Sequence, residues 1–221
     1  MTVIVEAVHA VKPLTNTAFD RWVDLYGELV IPAMARSGYD LLGGFKRTGG
    51  PMNEDVLLVR FESLAAQEAA SQALRKDPGL AKLREHMTGL TIQETVSVGS
   101  VVPYATAERL ERQLAAKPDA PRQYMQAVLG LVSGGQPRAY ELVGKLADWA
   151  EGAGALNLVT AYESMFGRRG VLTDIWVMPN GIRSFDYRPG DPLAEIIAPL
   201  REVAPEESIF YLNPLPYSPL Q

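Results

Sequence analysis

Residues 3–11 read VIVEAVHAV, a run of apolar and β-branched side chains broken only by Glu6 and His9, and this pattern predicts an opening strand ended by Pro13. Phe19, Trp22, Val23, Tyr26, Leu29 and Val30 then recur at three- and four-residue spacings within residues 18–36, the period of an amphipathic helix. Thr15 or Asn16 is its expected cap, and Pro32 should kink or loosen its last turn. Ser37-Gly38 ends the helix, residues 39–45 supply a second strand, and Gly49 to Pro51 make a turn. The β-rich run 56–61 is the third strand, after which Ser63 caps a helix over residues 64–76. That helix should stop near Asp77-Pro78-Gly79, with a further turn over 81–87 and a fourth strand over 91–102. The order is β-α-β-β-α-β.

About 120 residues after the third strand the same grammar returns, with Arg169 and Gly170 leading into VLTDIWV. Residues 105–116 have a charged, helical period, and Lys117-Pro118-Asp119-Ala120-Pro121 is the best linker candidate. Beyond it come a strand over 123–132, a Gly-Gly-Gln-Pro turn, a helix over 138–151 and strands over 156–166 and 171–177. An irregular segment, 179–192, contains Asn180-Gly181 and Pro189-Gly190 and is long enough for a flap or an inserted hairpin. A helix over 193–203, loosened at Pro199, a strand over 208–212 and a proline-rich tail complete the chain. We therefore divide it into a unit of residues 1–104, a helical linker 105–121 and a second unit 122–221. Each unit has the split pattern of a ferredoxin-like fold, with helices on one face of an antiparallel sheet. The bare faces must be buried, and packing sheet on sheet is the economical solution. The expected class is α+β: two tandem ferredoxin-like βαββαβ units forming a pseudo-dimeric α+β barrel.

Composition narrows the function. With 221 residues, 47% of them hydrophobic, the chain can bury a core, so disorder is not expected. A net charge of −5, with cations scattered along the chain, argues against nucleic acid and anionic membranes as partners. The lack of cysteine removes disulfides and thiolate chemistry and fits a reducing compartment. The N-terminus has no basic leader region, and no apolar run approaches the roughly 20 residues of a membrane-spanning helix. A cytoplasmic, soluble protein is expected.

The run GPMNEDVLLVRFES, with the helix before it, Pro32 and the strand YDLLGGF, resembles the NIPSNAP family of the dimeric α+β barrel superfamily. The first half keeps Gly50, Pro51, Asn53, Glu62 and Ser63, with Phe61 in the aromatic place, but has Leu57 and Val59 where the family has His and Trp. The second half has Asp174-Ile175-Trp176 there. The resemblance implies the barrel architecture more than an activity, since the superfamily includes cofactor-free monooxygenases, polyketide cyclases, haem proteins and non-catalytic binders. A polar pair given up by one half and retained by the other suggests that the second half is specialised.

Asp174 and Trp176 lie two apart on a strand and so share a face, with Tyr162 on the neighbouring strand. A carboxyl group beside an aromatic and a phenol in an apolar pocket can act as a general acid or base, so Asp174 and Tyr162 are the catalytic candidates and Trp176 a substrate contact. Packing of Trp176 and Tyr162 in the core, with Asp174 at a solvated edge, is the plainer alternative. In the first half Trp22 and Tyr26, neighbours on one helix face, and Arg60 are the matching substrate-binding candidates; Arg60 is otherwise a surface partner of Glu62. Glu6 and His9 fall on opposite faces of their strand, His86 stands apart, and there is no His-x-x-x-His pair, so no metal site is expected. Neither a dinucleotide fingerprint, a P-loop nor a nucleophile elbow occurs, and no cofactor is expected. We read the chain as a cofactor-independent enzyme of secondary metabolism acting by acid/base chemistry on an apolar or aromatic, polyketide-like molecule, as an isomerase, cyclase, lyase or monooxygenase. The competing reading is a ligand-binding or scaffold protein that meets a partner through its tail or residues 179–192. Homodimerisation is left open by either.

Overall fold

The computed structural model describes residues 1–11, 16–49, 53–87, 90–167, 169–185 and 192–221, and its elements are those of an α+β protein. The expected features at Pro13, Thr15, Gly50, Pro51, Pro189 and Gly190 lie outside the described residues. The chain divides into two compact units, one of Met1–Val98 with Asn213–Gln221 and one of Gly99–Leu212.

In the first unit, strand β3 (Glu54–Phe61) pairs antiparallel with β1 (Val3–Val11) on one side and β2 (Asp40–Thr48) on the other. The register sets Val5 opposite Val59, Ala7 opposite Leu57 and His9 opposite Asp55. Residues opposed across a ladder share a face, so these six look the same way, and Glu6 looks the other way, 3.7 Å from Arg47. The first helical segment is α1 (Asn16–Leu25), a π-turn at Tyr26–Val30 and α2 (Ile31–Arg36). Pro32 has no N–H for the carbonyl four residues back, and the expected loosening takes the form of this wide turn, in which Ile31 N–H reaches Tyr26 O. Helix α3 (Leu64–Arg75) starts as predicted, Ser63 Oγ accepting from Ala66 N at 3.1 Å.

Asp77-Pro78-Gly79 does more than end a helix. Helix α4 (Pro78–Met87) begins there, with proline in its first turn and Asp77 Oδ1 accepting from Gly79 N at 2.8 Å, where only a turn was expected. The proline-rich tail packs within this unit: Leu215 N donates to Gly44 O at 2.8 Å, Gly44 N donates to Ser218 Oγ at 3.1 Å, and Leu215, Ser218 and Leu220 are buried.

In the second unit the last residues of β4 (Thr91–Val101) pair with β6 (Asn157–Ser164). Strand β6 pairs with β7 (Val171–Met178), β7 with β5 (Gln123–Gly130), and β5 with β8 (Glu206–Pro214), all antiparallel. Helix α6 (Gln136–Gly152) buries Ala139, Leu142, Val143, Ala147 and Ala150, a stripe at three- and four-residue spacing, in a core shared with α7 (Leu193–Val203). Helix α5 (Ala107–Ala115) is tied to α6 by Arg109, 2.5 Å from Asp148 and 3.0 Å from Glu151. A short 3-10 turn, Gly181–Phe185, opens the segment read as irregular. Among the described residues no helix is long and apolar enough to cross a membrane.

A Cβ on Gly44 would lie 2.4 Å from the Tyr217 ring. Gly44→Ala should therefore lower stability by about 1–3 kcal/mol as the tail is pushed from β2, measured as a fall in the urea midpoint. An unchanged midpoint would mean the tail is not seated there.

Candidate functional site

The second unit has a partly open cavity of about 700 Å³ between its sheet and the helices α6 and α7. Met125, Ala127, Leu129, Trp149 and Trp176 are among the residues that make its wall mostly apolar, and Asp174 stands in that wall at 2% exposure. The ladder explains the grouping, because Asp174 faces Ala127 across β5 and Trp176 faces Met125.

Tyr104, which no periodic pattern marks, donates its O–H to Asp174 Oδ1 at 2.6 Å. It sits in the turn between β4 and α5, where Arg109 Nη1 donates to its backbone carbonyl at 2.6 Å. Burial pushes the Asp174 carboxyl up to about 7, against the lowering effect of the Tyr104 hydrogen bond and with a small further push from Glu207. The phenol of Tyr104 is itself raised, by burial and then by the charge of Asp174. A carboxyl group that changes protonation near neutrality, beside an apolar cavity, can take or give a proton at physiological pH.

Tyr162 is not part of this arrangement. It pairs with Thr173, one residue from Asp174, and so projects to the opposite face of the sheet, where it is buried beside Gly99. Opposite Asp174 on β6 stands Ala161, and Glu163, two residues on and on the same face, accepts a hydrogen bond at its carboxylate from Tyr140. The solvated edge considered for Asp174 is likewise not observed.

The first unit has a cavity of its own, about 600 Å³, with Val5, Ala7, His9, Trp22, Tyr26, Leu57 and Val59 in its wall. Trp22 and Tyr26 are thus brought together as expected, their rings stacked at 5.0 Å, but they serve a polar cluster unmarked in the sequence. Asp55, wholly buried, accepts from His9 Nδ1 at 2.8 Å, Trp22 Nε1 at 3.1 Å and Tyr217 O–H at 3.4 Å. His9 Nε2 lies 3.4 Å from both Tyr26 Oη and Glu94 Oε1. Burial alone would lower the His9 pKa, but its hydrogen bonds to Asp55 and Glu94 outweigh burial and raise it to about 9. Arg60 stands apart from this cluster, its Nε 2.6 Å from Asp40, which is its ladder partner. His86 is exposed, and among the described residues no group of three His, Cys, Asp or Glu could hold a metal ion.

Residues 10–104 match the NIPSNAP family model. The NIPSNAP match thus takes in Trp22, Tyr26, Asp55 and Glu94 and ends at Tyr104. Against curated protein sequences the chain finds no match. Among solved structures it is similar to a "Putative monooxygenase" of Fusobacterium nucleatum subsp. nucleatum ATCC 25586, with a TM-score of 0.67 at 8% identity over 97% of this chain and 92% of that one. A protein with the same printed name from Lactobacillus acidophilus NCFM aligns with a TM-score of 0.60 at 11% identity, over 96% of this chain and 93% of that one. An "anthrone oxidase-like protein" aligns with a TM-score of 0.61 at 10% identity, over 96% of this chain and 91% of that one. At such identities the likeness shows the fold alone.

The raised carboxyl has a measurable consequence. The folded chain holds the Asp174 proton up to about pH 7, whereas the unfolded chain releases it near 3.8, so stability falls as pH rises between those values. Asp174→Asn should flatten that fall and gain on the native chain by up to a few kcal/mol, on the order of 1.4 kcal/mol per pKa unit. Urea midpoints at pH 5 and pH 8 test this, and a constant difference between the two proteins would contradict it.

Proposed function

We propose that the chain is a small-molecule enzyme working by acid/base chemistry in the cavity of the second unit, with Asp174 as the group that moves the proton. The observation that carries this reading is one buried carboxyl, poised near neutrality, in an otherwise largely apolar wall. With Oδ1 engaged by Tyr104, Oδ2 is the atom that meets the substrate. As a base it takes a proton from an activated C–H or O–H; the electron pair stays on the substrate as an enolate or phenolate, and the proton returns to another atom or leaves with product. Isomerisation, cyclisation, elimination and oxygenation of an apolar or aromatic metabolite can all start this way. Trp176 and Trp149 supply flat surfaces for such a molecule. Tyr104 replaces Tyr162 as the phenol of the site, and acts by holding Asp174 and tuning its proton affinity.

The names of the similar structures, two monooxygenases by printed name and one anthrone oxidase-like protein, agree with a small-molecule substrate and lend fold-level support only. We further propose that the halves are tandem ferredoxin-like units, since β1 with β3 and β5 with β7 have the same register. The seated tail weighs against the scaffold reading in which it meets a partner.

The test begins with protein isolated from its own host and read by native mass spectrometry for a co-purified small molecule. Ala127→Phe, which fills the cavity, should lose that molecule. Asp174→Asn should keep it, remain folded and turn it over at least about 100-fold more slowly. Undiminished turnover in Asp174→Asn would remove Asp174 from the chemistry, and a ligand that binds but is never converted would leave a binding protein.

A further inference from the structure

The cluster around His9 is not used by the chemistry proposed for Asp174, and it stands in a cavity of a different unit. Its geometry is that of an oriented donor. Because a carboxylate can only accept, His9 Nδ1 carries a proton toward Asp55, and Nε2 is left as the working atom of the ring. The imidazole is held on both sides by aromatic rings, 5.1 Å from Trp22 and 5.3 Å from Tyr26. Tyr26 opens the π-turn, a distortion that often marks a functional site in a helix.

Among the described residues Nε2 has only loose partners. Both Tyr26 Oη and Glu94 Oε1 lie at 3.4 Å, longer than a good hydrogen bond, and the Glu94 side chain is 60% exposed. A surface carboxylate that reaches a buried histidine at this distance is a partner another anion can displace. The wall beside it includes the hydrocarbon of Val5, Leu57, Val59 and Phe61, which suits an apolar body, together with the polar side chains of Gln67, Ser71, Arg75 and Gln93.

We infer that the first unit holds a second ligand site, in which His9 Nε2–H donates to the carboxylate of an aromatic acid that displaces Glu94 and lays its ring against Leu57 and Val59. Asp55 is a positioning residue here: it fixes which nitrogen faces the cavity and balances the positive charge of the ring. The raised proton affinity of His9 keeps Nε2 a donor at neutral pH. Glu94, whose own carboxyl is held low by the His9 hydrogen bond, occupies the place of the incoming carboxylate when no ligand is bound.

The experiment is an NMR titration of the full chain, observing the His9 ring nitrogens, with 2-naphthoate and its neutral counterpart 2-naphthamide. Naphthoate should shift the Nε2 resonance and bind at least about tenfold more tightly than the amide, the difference expected of one charge-assisted hydrogen bond. His9→Gln should abolish that preference. Glu94→Gln, a change at a largely exposed side chain that the fold tolerates, should do the reverse and tighten naphthoate about two- to fivefold by removing the competitor. Equal affinity for the two probes, a preference that survives in His9→Gln, a Glu94→Gln variant that binds no better, or no naphthoate binding at millimolar concentration would each overturn the inference. Naphthoate shifts confined to residues around Asp174 would overturn it too, and would leave the reading of the second unit standing.

Discussion

A carboxyl group removed from water must either be given enough hydrogen-bond donors to stay charged or keep its proton. This constraint acts on the cavity face of both sheets, and the chain meets it in two ways. Around Asp55 three donors converge, from His9, Trp22 and Tyr217. Around Asp174 the one donor among the described residues is Tyr104, and the carboxyl retains its proton to near neutrality. The first arrangement ties Asp55 to an imidazole, an indole and a phenol, and the second leaves Asp174 a group that titrates near neutrality. The chemistry open to each unit follows from that difference.

The two sheets have the same register, which makes the contrast legible residue by residue. Ala7 opposite Leu57 corresponds to Ala127 opposite Asp174, and His9 opposite Asp55 corresponds to Leu129 opposite Leu172. Where one unit is polar the other is aliphatic, and the polar row is shifted by two residues, roughly 6.6 Å along the strand. The sequence pattern had suggested that the first half gave up its polar pair, on the strength of Leu57 and Val59. It carries a pair of its own one row away, from Asp55 within the same run and His9 on β1. The cavity of the second unit has a mostly hydrocarbon wall with Asp174 in it, the usual composition of a small-molecule pocket, whereas the wall in the first unit mixes hydrocarbon with Gln67, Ser71, Arg75 and Gln93.

Much of this was readable in the chain. Alternation placed Asp174 and Trp176 on one face, and Ser63 announced its helix, because both depend on neighbours in sequence. Register between strands does not. Strand β6 has a bulge between Leu158 and Thr160; with straight pairing Tyr162 would have faced Leu172 and joined Asp174, and the extra residue turns it to the other face. Tyr104 lies in a turn and donates across 70 positions of chain, so no local pattern could mark it. No local pattern marks His9 beyond its metal-ligating chemistry, since its partner Asp55 is 46 residues away and comes beside it only when β1 and β3 pair. The break read at Asp77-Pro78-Gly79 was also a beginning, because the same three residues that stop one helix can cap the next.

The account rests on burial dividing two carboxyl groups into different roles, and one site-resolved titration tests it most directly. Carbon-13 NMR of the Asp174 carboxyl, followed with nitrogen-15 NMR of the His9 ring on the same sample, should give midpoints near 7 and near 9. Midpoints near the ordinary values, 3.8 for the carboxyl and 6.5 for the imidazole, would show both groups to be hydrated and would contradict the account.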